Sequence, residues 1–137
     1  MAVSGPCEVL LVEGDPFLRF TAMELVTDAG LSGHAVGQAL EALAALAGNA
    51  DIGILVSAIG LPGSLNGLEL VQIAHRRWPH IKIVIISGAA NVISESLPPD
   101  ATVFAKPYLA EAVIACLKSA ASIDRSEASL TARKQSF

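Results

Sequence analysis

Short apolar runs alternate with stretches of helical periodicity along the chain. Glu8–Val12, EVLLV, combines Leu and β-branched residues in a run too short for a helix, which predicts a buried strand. Asp15 and Pro16 follow as N-cap and first helical residue. Leu18, Ala22, Leu25 and Ala29 then recur at helical spacing, and Gly30 stops that helix. Residues 34–36, HAV, predict a short strand, and Ala39–Gly48, ALEALAALAG, an alanine-rich helix.

The second half repeats the scheme. Residues 52–57, IGILVS, read as a strand that runs into the loop GLPGSLNG. Leu68, Val71 and Ala74 mark the inward face of a helix that breaks at Pro79. Residues 81–87, IKIVIIS, are the most strongly β-coded run. NVISESL allows at most two helical turns before Pro98-Pro99. TVFA, Thr102–Ala105, is a last short strand, and Leu109, Val113, Cys116 and Leu117 form the inner stripe of a last helix. From about Ala121 the apolar stripe fades, so residues 1–121 are expected to form one domain and 122–137 a polar, frayed or disordered tail.

Five apolar strands alternating with helices predict an α/β fold, a doubly wound five-stranded parallel sheet covered on both faces. In such sheets ligands bind outside the carboxyl ends of the strands. The residues placed there are Glu13, Gly14 and Asp15, then Ala58, then Ser87 and Gly88, then Lys106 and Pro107.

Composition narrows the function. With 53% hydrophobic and 16% charged residues in 137, the chain is globular, and its low charge suggests that part of its surface is covered. The net charge of −4 argues against nonspecific nucleic-acid binding. No apolar run is long enough for a membrane span, and Glu8, Glu13 and Asp15 are foreign to a signal peptide, so a cytoplasmic protein is expected. Cys7 and Cys116 then read as reduced, apolar thiols. His34, His75 and His80 lack metal-site spacing. His75, Arg76, Arg77, His80 and Lys82 cluster around a helix end, where cations complement the helix dipole. No Ser/His/Asp or Cys/His arrangement stands out, so the chain does not read as an enzyme.

The segments LLVEGDPFLR, LVSAIGLPGSLNGLEL, IVIISGAA and VFAKPY, in that order, resemble the receiver domain of bacterial two-component response regulators from about Glu8 to Leu117. The resemblance implies the flavodoxin-like (βα)5 fold, here with a short fourth helix. In that family an acidic pair after the first strand helps hold Mg²⁺, an aspartate after the third is phosphorylated by a histidine kinase, and a Ser or Thr after the fourth binds the phosphoryl group. A Lys after the fifth contacts it and precedes a cis proline. The resemblance maps the acidic pair onto Glu13 and Gly14, the phosphoacceptor onto Ala58, the hydroxyl onto Ser87, and the lysine and proline onto Lys106 and Pro107. An aromatic switch position falls on Val103.

The departures have chemical consequences. Ala58 has no oxygen, so no acyl phosphate can form there, and Gly14 removes a carboxylate from the cation site. Mg²⁺ is usually held by one or two carboxylates plus phosphate, so its binding is expected to be weak or absent and no cofactor is expected. Val103 lacks the ring that would swing between two positions. Ser57 cannot replace residue 58 as acceptor, because successive strand side chains point to opposite faces. Asp15 suits a helix cap better than a cation ligand. Ser87 has a bland reading as a hydroxyl that satisfies backbone groups.

These features read as a stand-alone pseudo-receiver that acts by phosphorylation-independent protein–protein interaction, since too few residues follow the last helix for an output domain. Expected partners are a histidine kinase, another response regulator or a second copy in a homodimer, with no nucleic acid and no membrane. The alternatives are a receiver whose acceptor was substituted, and a small-molecule sensor that uses the vacated pocket. Lys106, deprived of a carboxylate at position 58, is expected to contact Glu13 directly or through water. Val92, Ile93, Leu97, Val103 and Tyr108 are the candidate interface, beside the fourth and fifth strands and the last helix.

Overall fold

A computed structural model of the chain describes residues 7–88 and 97–135, with side chains as far as Ser122. Five strands form one sheet: β1 (Glu8–Val12), β2 (Gly33–Val36), β3 (Ile52–Ala58), β4 (Lys82–Ser87) and β5 (Thr102–Ala105). The order is β2-β1-β3-β4-β5 and every pair is parallel. The helices are α1 (Pro16–Asp28), α2 (Ala39–Gly48), α3 (Gly67–Arg77) and α4 (Ala110–Gln135). All five predicted strands are present within a residue of their expected bounds. The short helix expected in NVISESL lies outside the described residues.

Alternation along the central strands divides the core into two layers. Val9, Leu11, Ile54, Val56, Val84 and Ile86 pack under α1 and α4 with Leu25, Val26, Val113 and Leu117. Leu10, Val12, Leu55, Ile83 and Ile85 pack on the opposite face under α2 and α3 with Ala42, Leu46, Leu70 and Val71. Both faces of β1, β3 and β4 are therefore dry, which is why they read as continuous apolar runs. The edge strand β5 is different: only Phe104 is half-buried, and Thr102, Val103 and Ala105 are exposed.

One irregularity sets the phase of β3. Glu8 pairs with Ile52, but Val9 pairs with Ile54, so Gly53 is an extra residue on β3. It lets Ile52 pack in the α2–α3 layer and Ile54 in the α1–α4 layer. From there strict alternation carries Val56 and Ala58 to the α1–α4 side and Ser57 to the other.

Three helical expectations need correction. Leu109 precedes α4 and is 71% exposed, so the inner stripe consists of Val113, Leu117, Ala120 and Ala121, with Cys116 only half-buried. Leu18, on the stripe at helical spacing, is 37% exposed in the first turn of α1. Leu70 rather than Leu68 shares the buried face of α3 with Val71 and Ala74. The structure also carries α4 through to Gln135, a helix of 26 residues, where the fading stripe predicts a tail. Residues 121–135 contain neither Gly nor Pro, and extending a helix already anchored by packing costs far less than nucleating one.

Gly67 joins the fold to the loop after β3. Its N–H donates to the Ile59 carbonyl at 2.7 Å, and a Cβ at Gly67 would stand 1.8 Å from the Ala58 carbonyl oxygen. Gly67→Ala should destabilise the protein by about 1–3 kcal/mol in urea unfolding, because backbone has to move. Gly48→Ala, with nothing near the new methyl, should not destabilise it. Equal midpoints for the two variants would show that the β3–α3 loop yields freely.

Candidate functional site at the carboxyl ends of the strands

The β1–α1 loop is tied by its own side chains. Asp15 accepts from the N–H groups of Phe17 at 2.8 Å and Leu18 at 3.1 Å, and Pro16 opens the helix behind it. Glu13 Oε2 accepts from the Asp15 N–H at 3.0 Å, and Arg19 Nη1 donates to the Glu13 carbonyl at 2.9 Å. Both loop carboxylates thus serve backbone donors. Asp15 is a helix cap, and Glu13 is a half-buried carboxylate with one oxygen already engaged.

Residue 14 sits against the loop after β3. A Cβ on Gly14 would lie 2.7 Å from Cδ and 3.3 Å from Cγ of Pro62. Gly63, with φ of +98°, allows the turn that follows this proline. The loop then enters α3 through a reciprocal cap: Asn66 Oδ1 accepts from the Glu69 N–H at 2.9 Å, and Glu69 Oε1 accepts from the Asn66 N–H at 3.0 Å. An oxygen-rich cation site at this corner would have to be built from Glu13, with glycine at 14 and a methyl at 58, and these residues do not fit Mg²⁺.

On the other side of β3, Ser87 is buried at the end of β4, and its carbonyl accepts from the Lys106 N–H at 2.8 Å. The Lys106–Pro107 peptide is cis. Lys106 is exposed, and its aliphatic stem passes Gly88. Glu13, Ala58 and Lys106 come together around one cavity of about 40 Å³, which extends beneath Ala58 between the sheet and α1. The expected direct Glu13–Lys106 contact is not made: no ion pair joins them, because Glu13 turns back onto its own loop. Ser57 is fully buried, and its hydroxyl donates to the Ala58 carbonyl at 2.8 Å.

A doubly wound parallel sheet whose loops gather acid, hydroxyl, lysine and cis-proline positions at the strand ends defines a class of signalling domain. The response regulator receiver domain model matches residues 9–117, and the chain belongs to that family. It is 31% identical over 103 residues to the sensor kinase CckA of Brucella abortus, covering 72% of this chain and 11% of the kinase. It is 34% identical over 86 residues to the nitrogen assimilation regulatory protein NtrX of Azorhizobium caulinodans, covering 62% of this chain and 19% of the regulator. The chain thus spans less than a fifth of either relative. The response regulator receiver protein from Sinorhizobium medicae superposes with a TM-score of 0.79 at 24% identity, over 87% of this chain and 97% of that one. NtrX from Brucella abortus does so with 0.78 at 23%, over 92% of this chain and 29% of that one. The two structural likenesses show the shared fold.

Of the five interface candidates, Val92 and Ile93 lie outside the described residues. Leu97 and Tyr108 are half-buried against the core, and Val103 is 36% exposed on β5. Among the described residues, the most exposed large apolar groups are elsewhere: Phe17 at 73% and Phe20 at 64% on α1, and Leu109 at 71% before α4. Sequence reasoning followed the stripe Leu18-Ala22-Leu25-Ala29 and passed over the two phenylalanines. Two aromatics off that stripe, three residues apart, were the available signal. The basic residues His75, Arg76 and Arg77 close α3, where Arg77 also lies 4.8 Å from the Trp78 ring centroid. Among the described residues no helix is long and apolar enough to cross a membrane.

The Gly14–Pro62 packing makes a specific demand. Gly14→Asp should lose about 1–3 kcal/mol of stability through overpacking. Adding Pro62→Ala should return part of that loss, with a coupling of about 0.5–3 kcal/mol in a double-mutant cycle of urea midpoints. Strict additivity would mean that the proline does not hold position 14 closed.

Proposed function

We propose that this chain works in two-component signalling as a degenerate receiver, through protein contacts rather than by carrying a phosphoryl group, and that it is not an enzyme. The observation that carries the reading is Ala58 at the end of β3, facing a site whose remaining carboxylate, Glu13, is tied to its own loop. An acyl phosphate needs a carboxylate oxygen, and a cation needs more than one free oxygen donor. The exposed Phe17, Phe20 and Leu109 give a low-charge chain apolar surface to offer a partner. The partner is a histidine kinase or another response regulator in the cytoplasm, or a second copy of the chain.

Incubation with acetyl phosphate and Mg²⁺, followed by intact-mass measurement, should show no phosphoryl adduct. A stable adduct mapped to any strand-end residue overturns the reading. Ala58→Asp should also take up little phosphate, because position 14 still lacks its acid. Full uptake by that variant would favour a receiver in which the acceptor alone was substituted. Pull-down with the wild-type chain should capture a kinase or regulator equally well with and without acetyl phosphate.

A further inference from the structure

The alternation of β3 directs the Ala58 methyl into the α1–α4 layer, above Val56 and beside Leu11 and Ile86. Where a longer side chain would reach the strand-end site, a cavity of about 40 Å³ remains. Most of its lining is aliphatic, from Leu11, Val12, Leu18, Val56 and Ile86, with Thr21 and Ser57 also present. Lys106, Tyr108 and Glu13 also line it and bring its charged and phenolic groups. The Leu, Val and Ile part of the lining is a poor host for water and a good one for small apolar groups. At about 10–15 Å³ per water-sized group, the space suits roughly three such groups.

Charge at the mouth selects the head of the occupant. Lys106 extends an ammonium here, and among the described residues no carboxylate stands within ion-pair distance of it. Glu13 lines the same cavity, with one oxygen held by the Asp15 N–H. One cation and one nearby anion favour a monoanion over a dianion such as phosphate, because the second negative charge would meet Glu13.

We propose that the cavity beneath Ala58 is a binding site for a small free monocarboxylate of two or three carbons, such as acetate or propionate. Its carboxylate pairs with Lys106, and its carbons lie against Leu11, Val56 and Ile86. The site rests on the reading of position 58 as a receiver position without its acid. It is read out with neither a partner nor a phosphodonor, so it fails separately from that reading. So few atoms hold the ligand that affinity on the order of millimolar is expected.

The test is a ¹H–¹⁵N NMR titration of the full chain with sodium acetate and sodium propionate, against sodium chloride at matched ionic strength, n-propanol and inorganic phosphate. Saturable shifts are expected at the amides of Thr21, Ala22, Ala58 and Lys106 with the two carboxylates. Propanol and phosphate should bind more weakly. Lys106→Met should weaken carboxylate binding at least about tenfold, the loss of one charge-assisted contact. Ala58→Asp, which ties a carboxylate to the chain at that place, should abolish it. Lys106 is exposed, so its variant should fold and decides the matter even if Ala58→Asp does not. Shifts that do not saturate, that chloride reproduces, or that persist unchanged in Lys106→Met overturn the proposal. Tighter binding of phosphate than of acetate overturns the carboxylate assignment.

Discussion

Burial of β3 on both faces is the constraint from which the rest follows. A strand with helices on each side must send every second residue into a different layer. Ile54 and Val56 enter one, Leu55 the other, and no polar side chain is tolerated between them until Ser57, which satisfies itself on the Ala58 carbonyl. The bulge at Gly53 sets this phase. Because the phase is set, residue 58 points toward α1 and Lys106, and whatever side chain stands there decides the chemistry of the site.

The strand-end loops show how the neighbourhood of a methyl is arranged. Gly14 and Pro62 close the corner where a second acid would project. Asp15 turns away to cap α1, and Glu13 turns back to hold the Asp15 N–H. These are local hydrogen bonds and ring packing, each modest in energy, and together they engage one oxygen of each loop carboxylate. Lys106 remains at the mouth of an aliphatic cavity. The family fold is intact, and the cavity at its strand ends has a largely aliphatic lining.

The outer surface carries exposed apolar groups on both sides of this region. Phe17 and Phe20 stand exposed on the first turns of α1. Val103 on β5 and Leu109 before α4 are also exposed. Exposed apolar groups at these places supply contact area.

Much of the fold was legible in the chain, because parallel strands buried on both faces write themselves as apolar runs and helices end at glycine and proline. EVLLV, IGILVS and IKIVIIS needed no tertiary information, nor did the Asp15-Pro16 cap or the order of the strand-end positions. The family resemblance rested on the same local signals. Tertiary structure decided what depends on neighbours distant in sequence. That Leu109 and Leu18 are exposed follows from where the helices begin relative to the sheet. That Glu13 does not reach Lys106 follows from a competing backbone donor two residues away. That position 14 is closed follows from Pro62, 48 places further along the chain. The extension of α4 was missed because a helix anchored at one end no longer needs an apolar stripe. Hydrophobic periodicity records which residues are buried, but not which groups meet at the end of a sheet.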